Sequence, residues 1–223
     1  NKDWVDEIIV VDGNSTDGTR EYFKERGYQV VRQKSVGICG AYWEGIEAST
    51  GDIIIAFSPD NNSLPEKIPE LIEKMREGYD MVIASRYKDG AKSEDDDPIT
   101  SLGNWMFTKL VNIFFGGNYT DTLVIFRAFR KELVYTLPID TKFHPTFEYQ
   151  MAIRCAMQKK RVLEIPADEP KRIGGVRKMR PIYNGSTLVV QFFKELGVLV
   201  KLRSRGNRAL YIFGKMPKFG DKE

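Results

Sequence analysis

The sequence predicts an α/β fold with a mostly parallel central sheet flanked by helices, and three observations carry that expectation. The runs "EIIVV" (Glu7 to Val11), "DIIIAF" (Asp52 to Phe57) and "MVIAS" (Met81 to Ser85) are apolar without alternation, as strands covered on both faces are. Helical segments separate them, at Thr19 to Arg26, Ala41 to Ser49 and Pro65 to Glu77. Gly27, Gly51 and Gly78 stand where helices should stop, and Pro65 suits a first helical turn. Open sheets of this kind bind ligands beyond the carboxyl ends of their strands.

The remaining elements follow in order. "YQVVR" (Tyr28 to Arg32) is a fourth, weaker strand, and "KDGAKSEDDDP" (Lys88 to Pro98) reads as a polar loop with a solvated acidic run. A largely apolar helix covers roughly Ser101 to Phe115. "TLVIFRAF" and "RVLEIP" read as strands, "RKELVYTL" and "TFEYQMAIRCAMQKK" as helices, and "KRIGGVRKMRP" as a loop rich in glycine and cations. An amphipathic helix from about Ser186 to Leu202 and a basic tail close the chain.

Composition narrows the function classes. The 223 residues are 42% hydrophobic and 29% charged, a balance that supports a packed core and argues against disorder. A net charge of +3 is too small to argue for a nucleic-acid partner. Cys39 and Cys155 are the only thiols, so a reducing, cytoplasmic setting without a disulfide framework is expected. A single histidine, His144, rules out a Cys/His metal site. The longest apolar stretch near the end is interrupted by Gln191, Lys194 and Glu195, and no leader is evident. The chain opens "NKDWVDEIIVV" without methionine, and is expected to be part of something longer.

Candidate chemistry sits at strand ends. In "VVDGNSTDGT", Asp12 closes the first strand, where a carboxylate can accept hydrogen bonds from the N–H edge of a base. Ser15, Thr16 or Asp17 is available to cap the helix that follows. Gly37, Gly40 and Gly45 surround a helix start that can receive a phosphate or allow close helix packing. In "FSPDNN", Asp60 with Asn62 can be a turn, or can hold Mg²⁺ or Mn²⁺, hard cations that take oxygen ligands and keep several waters.

Taken in order, "VVDGNSTDGT", "GDIIIAFSPDNNSLPEKIPELIEKM" and "YDMVIASRY" resemble the nucleotide-sugar glycosyltransferases of the GT-A fold, family 2. "SRYKDG", "TDTLVIFRAFRKEL" and "RIGGVRKM" are similar to dolichol-phosphate mannose synthase and its bacterial polyprenyl-phosphate relatives. The resemblance implies a glycosyltransferase domain over 1–184, with 185–223 as a helix and basic tail packed on it or on a partner. It implies that Asp12 reads the base and that Asp60, helped by Asn62, holds the metal on the diphosphate. Arg86 and Arg127 would face an acceptor phosphate, and Arg172 and Lys178 would close over the donor diphosphate. Gly37 would belong to the nucleotide-sugar site.

Three departures from the family stand out. The acidic triplet Asp-x-Asp is Ser58-Pro59-Asp60 here, a strand that normally precedes residue 1 is missing, and the acid expected in "TFEYQ" is displaced, with Glu148 present but Gln150 two places on. The implied reaction is inverting transfer of a hexose from a UDP- or GDP-linked donor to a phosphate-bearing acceptor such as polyprenyl phosphate. A hydroxyl acceptor would instead need a base, Glu148 or His144, and a non-catalytic nucleotide-sugar-binding module is the other alternative. Peripheral contact with the inner face of a membrane through the last helix, or its docking on the protein's own core or in a homodimer, completes the expected partners.

Overall fold

A computed structural model describes residues 2–137, 139, 146–173 and 180–204. Its strands are β1 (Ile9–Asp12), β2 (Gln29–Arg32), β3 (Ile53–Ala56), β4 (Met81–Ser85), β5 (Arg127–Arg130) and β6 (Val162–Pro166). The helices are α1 (Thr19–Glu25), α2 (Gly37–Ala48), α3 (Ile68–Arg76), α4 (Pro98–Phe115), α5 (Glu132–Thr136), α6 (Phe147–Met157) and α7 (Pro181–Ser204). The segment from Pro65 starts as a 3-10 turn, Pro65–Lys67, before α3 takes over.

The strands form two sheets. β1 and β2 pair in parallel, from Ile9 opposite Gln29 to Asp12 opposite Arg32. The other four lie in the order β3-β5-β4-β6. β5 is antiparallel to both β3 and β4, while β6 is parallel to β4. It follows that β3, β4 and β6 all run in one sense and β5 alone runs back. The loops after β3, β4 and β6, and the loop leading into β5, therefore emerge at one edge.

Burial separates the strands that looked alike in sequence. All five residues of β4 are buried, whereas β1 and β3 each bury only their last residue fully. The reason is position. β4 has neighbours on both sides, while β1 and β3 each pair with one strand only among the described residues. Glu7 Oε1 accepts from the amides of Thr50 at 2.6 Å and Gly51 at 2.9 Å, which ties the start of β1 to the start of β3.

The core centres on β4 and α6, in which every residue from Phe147 to Cys155 is buried. A helix buried all round must satisfy its polar side chains internally. Gln150 Nε2 donates to Thr146 Oγ1 at 2.8 Å. Arg154 donates to Glu195 of α7 at 2.7 and 3.0 Å, and Gln191 adds a third bond to the same carboxylate oxygen at 2.8 Å. α7 thus starts earlier than expected and docks through buried polar groups, so it straddles the expected boundary at residue 184. Removing one partner of a buried ion pair strands the other. Glu195→Ala should lower unfolding stability by about 3–5 kcal/mol, and Arg154→Met with Glu195→Leu should recover most of that loss, as read by urea denaturation.

Candidate active site

Asp12 ends β1 and is 3% exposed. Its Oδ1 accepts from the Ser15 amide at 3.2 Å, and its Oδ2 is buried with no hydrogen-bond partner. Hydrogen bonding from the Ser15 side chain, partly opposed by burial, holds the carboxyl below its usual range. An ionised carboxylate with one buried oxygen unoccupied is a ready acceptor for a ligand N–H. The N-cap position of the next helix is Gly18, in the left-handed region and without a side-chain cap, instead of Ser15, Thr16 or Asp17. Asp17 accepts from the amide and hydroxyl of Thr19 at 3.1 and 2.6 Å.

The glycines of α2 divide between two roles. Gly37 has φ +81° and begins the helix, its carbonyl accepting from Gln33 Nε2 at 2.7 Å. Gly40 is glycine for packing, since a Cβ there would lie 2.5 Å from Cβ of Ser35.

Asp60 follows β3 in a tight polar turn. Ser58 Oγ donates to Asp60 Oδ1 at 2.6 Å and the Asn62 amide to the same oxygen at 3.3 Å. Asn61 takes φ +79° and its Nδ2 donates to the Lys171 carbonyl at 3.0 Å. The Ile173 amide donates to the Asp60 carbonyl at 3.2 Å. Between these anchors Arg172 lies 3.7 Å from Asp60 Oδ2 and makes two bonds to Asp95, at 2.9 and 3.3 Å. The Arg172 hydrogen bond holds the Asp95 carboxyl below its usual range against the opposing effect of burial. Asn62 Oδ1, close by in the same turn, is buried and has no partner.

One residue further, Asp96 joins a second cluster. Arg86 leaves β4 and reaches Asp121 at 2.7 and 3.0 Å, and both Asp96 and Glu169 at 3.1 Å. Asn104 and the amides of Leu123 and Val124 also bond to Asp121. Across the two clusters Asp60, Asp95, Asp96, Asp121 and Glu169 share the guanidinium groups of Arg86 and Arg172. Carboxylate outnumbers cation at this edge, a field that attracts further positive charge.

The two residues expected to face the acceptor both lie buried. Arg86 is only 7% exposed and its guanidinium is surrounded by three carboxylates, so it ties the loops together. Arg127 is wholly buried and its guanidinium donates to the carbonyls of Val124, Thr122 and Glu148. Burial of a guanidinium requires such saturation, and Arg127 is a staple between the β5 entry and α6. Glu148 is 5% exposed, with Oε1 lacking a hydrogen bond. Burial raises its pKa, with the Arg127 charge opposing that shift. Lys178 and His144 lie outside the described residues.

Asp95, Asp96, Asp121 and Glu169 were not singled out by sequence. The signal for the first two was an acidic run directly before a proline-started helix, which reads equally as solvated loop. Among the described residues, no group of three or more His, Cys, Asp or Glu side chains is arranged to hold a metal by itself. Asp60, the orphaned Asn62 Oδ1 and the surplus of carboxylates nonetheless fit a hard divalent cation that takes its other oxygens from a ligand and from water.

Comparison with known proteins settles the kinship. The chain matches the family described as Glycosyl transferase family 2 across residues 3–137. It belongs to that family. The dolichol-phosphate mannosyltransferase of Pyrococcus furiosus is 30% identical over 78% of this chain and 51% of its own length. The dolichyl-phosphate hexose transferase of Haloferax volcanii is 27% identical over 82% of this chain and 77% of its own. Glucosyl-3-phosphoglycerate synthase from Mycobacterium tuberculosis, solved with Mn²⁺, UDP and glucosyl-3-phosphoglycerate, superposes with a TM-score of 0.66 at 20% identity, covering 86% of this chain and 70% of that one. The fold is therefore GT-A, and the chain spans only part of the length of its relatives.

The Arg86 cluster sets an acid limit on this family member. Burial pushes Asp121 up, but the Arg86 charge and hydrogen bonds more than reverse it and leave the carboxyl below its usual value of 3.8. A depressed folded pKa contributes stability that is complete above the unfolded value and lost as pH falls through the folded one. Stability should therefore fall as pH drops below about 4. Asp121→Asn should flatten that fall while lowering stability at pH 7, in chemical denaturation followed across pH.

Proposed function

We propose that this protein transfers a hexose from a nucleoside-diphosphate sugar to a polyprenyl phosphate, with inversion at the anomeric carbon. The observation that carries the reading is Arg172 held between Asp60 and Asp95, at the edge where three strands of one sense end. Family membership supports the donor class, and the names of the relatives from Pyrococcus furiosus and Haloferax volcanii support the acceptor.

In this reading Asp12 receives the base through its unoccupied Oδ2, and Gly37 lies at the nucleotide end of the site. Asp60 and Asn62 would hold Mg²⁺ or Mn²⁺, with Asp95 placed to replace the missing acid of the Ser58-Pro59-Asp60 triplet. Such a cation supplies Lewis-acid neutralisation of the departing diphosphate. Arg172 is 26% exposed in its side chain, with Nε and Nη2 bonded to Asp95 and Nη1 in a longer 3.7 Å contact with Asp60. It turns from Asp60 to the diphosphate as the donor arrives, adding a preorganised positive charge where negative charge develops. Lys178 joins it from the same basic segment.

A polyprenyl phosphate brings its own anionic nucleophile, so no side chain has to remove a proton from it. With Arg86 and Arg127 occupied elsewhere, the acceptor phosphate falls to the cations of 171–180. Glu148 keeps a supporting place beside Arg127 and Tyr42.

Calorimetric titration with UDP-glucose and GDP-mannose, each with and without Mn²⁺, tests the reading. One donor should bind more tightly with the metal. Asp60→Ala should abolish the metal-dependent gain, and Asp12→Asn should weaken donor binding roughly ten- to a hundredfold while keeping that gain, the scale of a hydrogen bond to a charged group. Metal-independent binding in the wild type, or an unchanged gain in Asp60→Ala, would remove the diphosphate role.

A further inference from the structure

The mouth of the β1–β2 pair carries a second charged side chain beside Asp12. Arg32 ends β2 and lies directly opposite Asp12 in the parallel register. Its Nε donates to Asn14 Oδ1 at 2.8 Å, and Asn14 Nδ2 donates to the Gln33 carbonyl at 3.3 Å. Asn14 takes φ +66°, a left-handed conformation that asparagine tolerates better than most residues. One side chain thus spans both strand ends and fixes the Arg32 guanidinium by its Nε edge. Among the described residues, Nη1 and Nη2 of Arg32 make no hydrogen bond and no ion pair. A solvated surface arginine is seldom anchored in this way with its outer donors left open.

Asp12 supplies the complementary group. Its Oδ1 accepts from the Ser15 amide at 3.2 Å, so the unpartnered Oδ2 is its open acceptor. Asp12 is 3% exposed, and an anionic oxygen left unpaired at that depth is costly. Other groups at the mouth are already committed. Gln33 Nε2 donates to the carbonyls of Ser35 and Gly37 at 2.6 and 2.7 Å, and Asn14 uses both ends of its amide. The mouth therefore offers one anionic acceptor with guanidinium donors beside it.

The edge of an unpaired base decides whether it meets that pattern. Uracil and thymine present an imide, one N3–H between two carbonyl oxygens. The N3–H suits Asp12 Oδ2, and a flanking carbonyl suits the open edge of Arg32. Guanine presents two donors side by side, N1–H and its amino group, and a carboxylate takes such a pair through both oxygens. Here Oδ1 is engaged by Ser15, so one guanine donor has to compete with that bond. Cytosine carries a bare N3, which a carboxylate repels. We propose that Asp12 and Arg32 together select the imide edge over guanine and cytosine, with Arg32 contacting a base carbonyl. This rests on Asp12 as the base acceptor, and it adds the class of base and a second residue that reads it.

Calorimetric titration of the 223-residue chain with UDP, dTDP, GDP and CDP, each with Mn²⁺, tests it. UDP or dTDP should bind roughly ten- to a hundredfold more tightly than GDP or CDP, the scale of one unsatisfied polar group. The tighter of the two imides names the base. Arg32→Glu replaces the flanking donor with an acceptor. The ratio of imide to guanine affinity should fall at least roughly tenfold in that variant, and repulsion of the diphosphate, common to both ligands, does not move the ratio. Urea unfolding should change little, because Arg32 is exposed and bonds to Asn14 alone among the described residues. GDP bound as tightly as UDP and dTDP, or a ratio unmoved by Arg32→Glu, would overturn this inference and leave the diphosphate role of Asp60 standing. Failure of every nucleotide to bind would remove the proposed function and this inference together.

Discussion

Everything at the ligand edge depends on two arginines shared among too many carboxylates. Arg86 is buried and surrounded by Asp121, Asp96 and Glu169, so it fixes the loops that follow β4 and β6 and the turn that enters β5. Arg172 is more exposed and joins Asp60 to Asp95. The difference in burial assigns the roles. A guanidinium closed in by three acids holds a scaffold, because exchanging those partners for a ligand would leave buried charge uncompensated. One at the rim, partly exposed and 3.7 Å from one of its partners, can exchange that carboxylate for a phosphate at far lower cost. Adjacent residues, Asp95 and Asp96, link the fixed cluster to the movable one.

The same logic of polar groups turned inward shapes the helices. α6 is buried on every side and carries Glu148, Gln150 and Arg154 into the core. Arg154 then constrains the face α7 must present, since Glu195, itself held by Gln191, has to reach it. α7 cannot satisfy Arg154 and bury Val189, Val190 and Phe193 at once. The ion pair prevails in the folded chain, and the apolar side chains are left outside, where α4 has already placed Ile99, Leu102 and Ile113.

Much of the fold was legible in the sequence because strands and helices are local. β4 was bounded correctly from its apolar run, and the strand-end positions of Asp12 and Asp60 followed from the same reading. The insertion of β5 between β3 and β4 was not legible, because strand pairing is decided by contacts distant in sequence. Arg86 and Arg127 look like substrate ligands in a linear reading, and only three-dimensional burial reveals that their donors already have acceptors. "EDDDP" hides its role for the same reason, as an acidic run reads as solvated until a guanidinium is seen between its members. The apolar residues of α7 divide, with Leu188 and Phe192 buried and Val189 and Phe193 exposed, and no periodicity could reveal that a buried arginine on another helix helps set that division.

The central claim is that Asp60 lies at a metal–diphosphate site which Arg172 leaves as the ligand enters. Crystals grown with Mn²⁺ and the nucleoside diphosphate of the bound donor, measured at the manganese absorption edge, address it directly. An anomalous peak within bonding distance of an Asp60 oxygen, with Arg172 turned to the diphosphate, is the predicted result. A manganese ion elsewhere, or a diphosphate bound with Arg172 still on Asp60, would contradict the account.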